Sequence, residues 1–235
     1  MNKSQRHALI LARIPVLYHG TDARILDMTE PERKSFHEDC KELSKSLWPL
    51  FEPYVLGQET VKTVDPVNGE NIVEKNRIDR FRVHFDDDVQ FHRFTLAVSI
   101  FYRSTFLEDT LFEHDSLYFT SFRQGAERYA HRAGYFGEIG YVAYHLADAA
   151  KRLNYEVDDS TREKMDRIVS FAEDAHHPVV VEVNDYDPDQ LRMEGGENLK
   201  ISKGSVAGSM FRYLGNMDLN AFPAVPVTEA FDLYG

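Results

Sequence analysis

Apolar residues fall along this chain in short blocks separated by polar punctuation, and the blocks predict strands dispersed among helices. Residues 14–18, IPVLY, are a short β-prone apolar run that predicts a buried strand, with His19-Gly20-Thr21-Asp22 ending it as a turn. A helix is predicted over 30–48. Thr29 and Glu32 make a capping-box pattern, Pro31 sits in the tolerant first turn, and Pro49 and Pro53 close the segment. Residues 57–76 read as a loop or hairpin, on the turn signals Asp65-Pro66 and Asn68-Gly69. In 77–85, Ile78, Phe81, Val83 and Phe85 alternate with polar neighbours, which predicts a strand over the second half. Residues 89–107, rich in Phe, Val, Ile and Tyr, fit either a strand or a buried helix.

Further on, 116–120 (SLYFT) reads as a strand and 122–133 as a helix. A second helix is expected over 138–151, with Gly134, Gly137 and Gly140 breaking or bending the connection. Ser160 and Glu163 form another capping-box pattern, opening a helix that runs to about 173. Residues 178–183 (PVVVEV) are a strand, 194–209 a polar, glycine-bearing loop, and 223–233 a final strand. No repeat and no low-complexity linker divides the chain. The expectation is one α+β domain over 1–235, with an unassigned helical and β insertion around 28–110.

Composition narrows the function classes. The 235 residues include 16 Phe, 12 Tyr and one Trp, too aromatic for a disordered chain. With 27 Lys and Arg against 39 Asp and Glu, the net charge is −12, which argues against a large duplex-binding surface. The single Cys40 can form neither an internal disulfide nor a cysteine-type zinc site, which fits a reducing compartment and a cytoplasmic location. No apolar run approaches the ~18 residues of a membrane span, so no membrane partner is expected. The N-terminus, MNKSQRHALILARIPVLY, has the outline of a signal peptide. Arg13 interrupts it and Pro15 follows, so it is read as mature protein.

Several familiar constellations are missing from the sequence: the phosphate loop, G-x-G-x-x-G, H-E-x-x-H and G-x-S-x-G. Asp86-Asp87-Asp88 reads as a solvated turn rather than a cation site, and His176-His177 as a surface pair without a third ligand nearby. No metal is expected.

Three scattered elements carry the remaining signal. Leu17-Tyr18-His19-Gly20-Thr21 is a strand ending in His-Gly. Leu117-Tyr118-Phe119-Thr120 is a strand followed by a helix that carries Ala126 and Tyr129, with the two tyrosines eleven positions apart. Val225-Pro226-Val227-Thr228-Glu229 is the terminal strand. Together they resemble the ADP-ribosyltransferase superfamily, in the branch with a His–Tyr–Glu triad that includes diphtheria-toxin and poly(ADP-ribose) polymerase type enzymes. As motif the resemblance covers about a quarter of the chain, and the stretch between the first two elements matches nothing in the family.

The resemblance implies a single ADP-ribosyltransferase-like domain with a split, mainly antiparallel β core flanked by helices. It implies NAD as co-substrate, and His19, Tyr118 and Glu229 as the catalytic triad, with Glu197 the next choice for the third member. His19, Gly20, Thr21, Tyr118, Ala126 and Tyr129 would bind the dinucleotide. Ala126 departs from the small hydroxylated residue that often touches the carboxamide there, which bears on how tightly nicotinamide is held. The residue types suit the chemistry. Cleavage of the nicotinamide–ribose bond passes through an oxocarbenium-like state. Two tyrosine faces suit a cationic ring, glycine lets backbone approach a ligand, and a carboxylate stabilises developing positive charge. The acceptor would be a macromolecule, protein rather than nucleic acid on charge. By analogy the enzyme would be toxin-like, defence-related or phage-related, with room for an antitoxin or immunity protein as partner. Three other readings stay open. They are a NAD glycohydrolase, a non-catalytic nucleotide- or protein-binding module of the same fold, and an RNA 2′-phosphotransferase leaning on His19, Arg24, Arg123 and Arg128.

Overall fold

The computed structural model describes residues 2–55, 62–64, 71–73, 77–106, 117–134, 136–193 and 210–228. In chain order the elements are α1 (Lys3–Arg13), β1 (Leu17–Asp22), α2 (Ala23–Asp27), α3 (Glu30–Val55), β2 (Lys62–Val64), β3 (Asn71–Val73), a 3-10 helix (Arg77–His84) and α4 (Asp88–Phe106). They continue with β4 (Leu117–Thr120), α5 (Arg123–Ala133), α6 (Gly137–Arg152), α7 (Asp159–Glu173), β5 (Pro178–Val183), β6 (Leu191–Met193), β7 (Met210–Tyr213) and β8 (Ala224–Pro226). The fold is α+β. The chain gathers into two compact units, one formed by Met1–Lys34, Glu113–Glu138 and Asp174–Gly235, the other by Ser35–Phe112 and Ile139–Glu173.

The first unit is built on a six-stranded, open sheet in the order β6-β7-β4-β1-β5-β8, with every pair antiparallel. Successive residues of a strand face opposite ways, so each strand contributes to both faces. Leu17, Phe119, Val181, Val183, Leu191, Phe211 and Tyr213 bury one face together with Ile10 and Ile14 from α1 and its exit. Each such side chain contributes roughly 1.5–3 kcal/mol on burial. The Asn2–Gln5 capping box starts α1, and the Tyr186 hydroxyl donates to the Ile14 carbonyl at 2.5 Å where the helix ends. Lys3 and His7 fasten α1 to Asp189 at 2.6 and 2.7 Å. Helix α5 covers the other face over β1, β5 and β4.

Among the described residues the second unit is helical apart from the antiparallel pair β2–β3. Its core is aromatic: Phe51 meets Phe94 at 5.2 Å and Phe81 at 5.8 Å, and Phe85 stacks on Phe94 at 5.2 Å. Helix α6 is buried nearly all round from Ile139 to Ala150, which places its His145 against Tyr141 at 4.3 Å. The phenylalanines of the 50–110 stretch that are described are thus largely core residues.

Several expectations are corrected. The run 77–85 is a 3-10 helix and not a strand, because Ile78, Phe81 and Phe85 bury at spacings of three and four. The described part of 89–107 belongs to the helix α4, Asp88–Phe106. Helix α3 passes through Pro49 and Pro53; both lie on the exposed side, where water replaces the bonds a proline cannot donate. His19-Gly20-Thr21-Asp22 continues β1 and does not turn. The cap of α7 is Asp158, which accepts from Thr161, and not Ser160. Asp86 and Asp88 pair with Arg152 and Arg82 at 3.0 and 2.6 Å, as a turn does. The Thr29–Glu32 box forms as read. The loop 194–209, Glu197, and Glu229 with the chain after it lie outside the described residues.

Candidate active site

Of the site residues read from sequence, His19, Gly20 and Thr21 lie on β1, Tyr118 on β4, and Ala126 and Tyr129 on α5, all in the first unit. Strand β1 pairs with β5 along its whole length, from Leu17↔Val183 to Asp22↔Pro178. Just past it, the Ala23 amide donates to the His177 carbonyl at 2.9 Å. In an antiparallel ladder only alternate pairs exchange bonds. Leu17, His19 and Thr21 therefore bond β5, while Tyr18, Gly20 and Asp22 turn their backbone polar groups toward β4. Pro178, which has no amide to donate, sits opposite Asp22 as this parity requires.

On the β4 side the two strands share a single register pair, Tyr18↔Thr120. The next hydrogen-bonded pair of a continued ladder would be Gly20 with Tyr118. Instead the Tyr118 carbonyl receives the His19 side chain, with Nδ1 at 2.7 Å. A carbonyl only accepts, so the proton is on Nδ1 and Nε2 is left as an acceptor. Burial lowers the His19 pKa below the usual 6.5, against the opposing pull of the Tyr118 bond, and keeps the ring neutral. His19 thus stands where the ladder stops. The Gly20 amide and carbonyl point into the seam beside it.

Gly20 answers to a second constraint. A Cβ there would lie 1.9 Å from the Ala126 carbonyl oxygen and 2.6 Å from the Ala130 amide. Only a glycine lets α5 lie this close, with the buried Ala126 and Ala130 toward the strand. Gly125 turns toward Thr120 of β4, 3.5 Å from a Cβ built on it. Tyr129 lies four positions on, hence on the same β4-facing flank, and at the level of Gly20 because Ala126 and Ala130 bracket that residue. It is 41% exposed. Tyr118 projects to the α5 face, since its register partner across β7 is Arg212 and its neighbour Phe119 is buried in the core on the other side. The α5 face so brings together Gly20, Tyr118, Ala126 and Tyr129; the His19 ring lies on the core face, 5.5 Å from Phe119, and reaches the seam through its bond to the Tyr118 carbonyl. Thr21 is close in sequence but 4% exposed, with its side chain turned to the core face. Glu229 lies three residues beyond the end of β8 and outside the described residues.

No family model, no curated protein and no solved structure matches this chain. The site therefore rests on its own geometry.

Sequence reading missed Asp22. It is fully buried, receives the Arg24 guanidinium at 2.8 and 3.1 Å, and accepts the backbone amides of Arg24 and His177 at 3.0 Å each. Burial alone would raise its pKa; the Arg24 and amide hydrogen bonds outweigh that and hold it below the usual carboxylate value. Arg24 also donates to the Gly134 carbonyl, so one ion pair ties the end of β1 to the start of β5 and the end of α5. The sequence signal was present in Asp22-x-Arg24, a cap and a cation two residues apart at a strand end.

Two of the basic residues considered for an RNA substrate are engaged: Arg24 with Asp22, and Arg123 with Glu127 and Glu182 at 3.0 and 2.6 Å. Among the described residues, His7, Asp187 and Asp189 form a group that could hold a metal ion. Lys3 and His7 already occupy the Asp189 carboxylate, whose pKa their hydrogen bonds lower to about 2, and Asp187 caps the Asp189 amide. That group fastens α1.

Proposed function

We propose that this chain is a NAD-dependent ADP-ribosyltransferase of the His–Tyr–Glu type, acting in the cytoplasm on a protein acceptor. The observation that carries the reading is the seam: β1 and β4 part at His19, and Gly20 turns one donor and one acceptor toward the gap. A carboxamide offers the complementary acceptor and donor, so nicotinamide suits that pair of groups. Tyr118 and Tyr129, on the same side of the sheet, supply aromatic faces for the cationic ring. The neutral His19 offers Nε2 to a ribose hydroxyl.

In the reaction, the bond between nicotinamide nitrogen and ribose C1 breaks with its electron pair leaving on nicotinamide. A bond then forms between C1 and the acceptor nucleophile, and the acceptor releases a proton. The developing positive charge on the ribose needs a nearby carboxylate, the role assigned to Glu229. Water in place of the acceptor makes the same machinery a NAD glycohydrolase.

The test is incubation with NAD labelled in its adenylate half, with and without cell lysate. Transfer of label to protein is the expected result. Release of nicotinamide without transfer makes the enzyme a hydrolase. No consumption of NAD overturns the reading in favour of a binding module. Within that assay Glu229→Gln keeps the side chain's size and removes its charge. It is expected to lower kcat by on the order of 100-fold while Kd for NAD stays within a few-fold, because the charge matters most in the transition state. Glu197→Gln is expected to leave both unchanged; the reverse pattern moves the third role to Glu197.

A further inference from the structure

We infer that His7, Asp187 and Asp189 form a site for one divalent transition-metal ion of the zinc type, which clamps α1 to the connection between β5 and β6. An imidazole nitrogen and one oxygen from each carboxylate lie within 4.8 Å of one another. One nitrogen with two carboxylate oxygens is a donor set for zinc and its first-row neighbours, whereas calcium and magnesium take oxygen ligands. All three residues belong to the first unit. His7 and Asp189 stand 182 positions apart, so no local motif marks the set in the sequence.

Each ligand is held in place by contacts that spare the atom an ion would take. His7 lies on α1, and its Nε2 donates to Asp189 Oδ1 at 2.7 Å, since an ionised carboxylate only accepts. A metal ion takes the place of the proton between these two atoms. The other Asp189 oxygen, Oδ2, is engaged by Lys3 at 2.6 Å, which leaves Oδ1 as the ligand. In Asp187, Oδ1 accepts the Asp189 amide at 2.9 Å, which leaves Oδ2. The Asp187 backbone is itself tied by its amide to the Tyr213 hydroxyl at 3.3 Å, and the buried Pro188, with its fixed φ, spaces the two aspartates. Such outer contacts orient ligands and sharpen a metal site. Bonds of about 2.0–2.2 Å hold tetrahedral ligand atoms roughly 3.3 Å apart. A rotation of the exposed Asp187 side chain closes the set to that size. The His7 and Asp189 side chains are 26% and 28% exposed, open enough for water to complete the coordination. The two carboxylates outweigh the single ammonium of Lys3, which interacts with both, so the site stays negative toward a cation.

The experiment titrates the full chain, freed of metal by a chelator, with Zn²⁺ alone by calorimetry, with Mg²⁺ and Ca²⁺ alongside, and records thermal melts with and without each ion. The expected result is one Zn²⁺ per chain, a Tm raised by Zn²⁺, and far weaker binding of Mg²⁺ and Ca²⁺. An ion that binds the folded chain and not the unfolded one stabilises the fold. Asp187→Asn keeps the oxygen that caps the Asp189 amide and replaces the other. His7→Gln keeps an N–H donor toward Asp189 and removes the imidazole. Each is expected to weaken Zn²⁺ binding by on the order of 10- to 100-fold. Lys3→Gln removes an ion pair and a neighbouring positive charge but no ligand, and is expected to bind Zn²⁺ at least as tightly as wild type. A group that serves only to fasten α1 predicts no such pattern. No saturable Zn²⁺ binding up to about 1 mM overturns the site. Zn²⁺ bound equally by wild type and the folded variants overturns it too, because the ion then sits on other histidines. Loss of binding in Lys3→Gln as deep as in His7→Gln also overturns it, since binding would then follow the docking of α1 and not ligation. Where His7→Gln does not fold, Asp187→Asn decides.

Discussion

At Gly20 a hydrogen in place of a methyl group decides where a helix can lie. The α5 backbone occupies the place of a Cβ, at 1.9 Å from the Ala126 carbonyl oxygen. Gly20→Ala is expected to destabilise the first unit by about 3 kcal/mol, the upper part of the range for overpacking, because backbone cannot rotate aside as a side chain does. Denaturant unfolding without NAD measures it, and wild-type stability would mean α5 does not rest on the strand. Tyr129 separates ring from hydroxyl. Tyr129→Ala is expected to raise KM for NAD about tenfold, and Tyr129→Phe to leave it near wild type; equal effects would refute stacking. His-Gly at a strand end and two tyrosines eleven apart were legible in the sequence because they are local patterns. The packing duty of Gly20 and the ties that the Asp22–Arg24 pair makes to β5 and α5 were not. Their partners, Ala126, Gly134 and His177, lie over a hundred positions away and carry no local mark.

Elements show the same division between local and distant causes. The strand PVVVEV runs over 178–183 as read, since β-branched residues on a half-buried surface specify a strand by themselves. The 3-10 segment misled because Val83 and Phe85 also satisfy a two-residue period, yet Val83 is 82% exposed. Alternation predicts a strand only where a neighbouring strand exists to pair with it. At the start of α7, carboxyl and hydroxyl side chains stand at three successive positions, Asp158, Asp159 and Ser160. Asp158 takes both the Thr161 amide and its hydroxyl at 2.9 Å, and these bonds lower its pKa. Asp158→Ala is expected to lower the Tm by a few degrees and Ser160→Ala to leave it unchanged. A thermal melt of the two variants side by side checks this, and the opposite ranking would return the cap to Ser160.

On the scale of the molecule, each unit draws on discontinuous segments, and each has a buried titratable group that senses acid in its own window. Periodicity marks which residues of a helix are apolar, but not that 139–173 gathers with 35–112, so this division was out of reach of a local pattern. In the second unit His145 is 6% exposed among tyrosine rings, and burial, aided by the positive charge of Arg93, lowers its pKa from 6.5 to about 3. Between those values the unfolded chain binds a proton that the folded chain refuses. Stability therefore falls as pH drops through that window, by up to about 1.4 kcal/mol per pH unit. In the first unit Asp22 has a pKa lowered from 3.8 by Arg24 and two amides. Its contribution is complete above 3.8 and is lost only as pH falls below that value toward the folded pKa. The two groups thus act in different ranges. His145→Phe is expected to flatten the stability of the chain between about pH 6 and pH 4, without touching the steeper loss in stronger acid. Asp22→Asn is expected to cost about 3–5 kcal/mol already at neutral pH, as removal of one partner from a buried ion pair does, while the slope between pH 6 and 4 stays that of wild type. Urea midpoints taken across the pH range for both variants decide it. A wild-type slope in His145→Phe would mean the histidine is not neutral in the fold. Full stability of Asp22→Asn at neutral pH would mean that Arg24 does not depend on Asp22 to hold the ends of β1, β5 and α5 together.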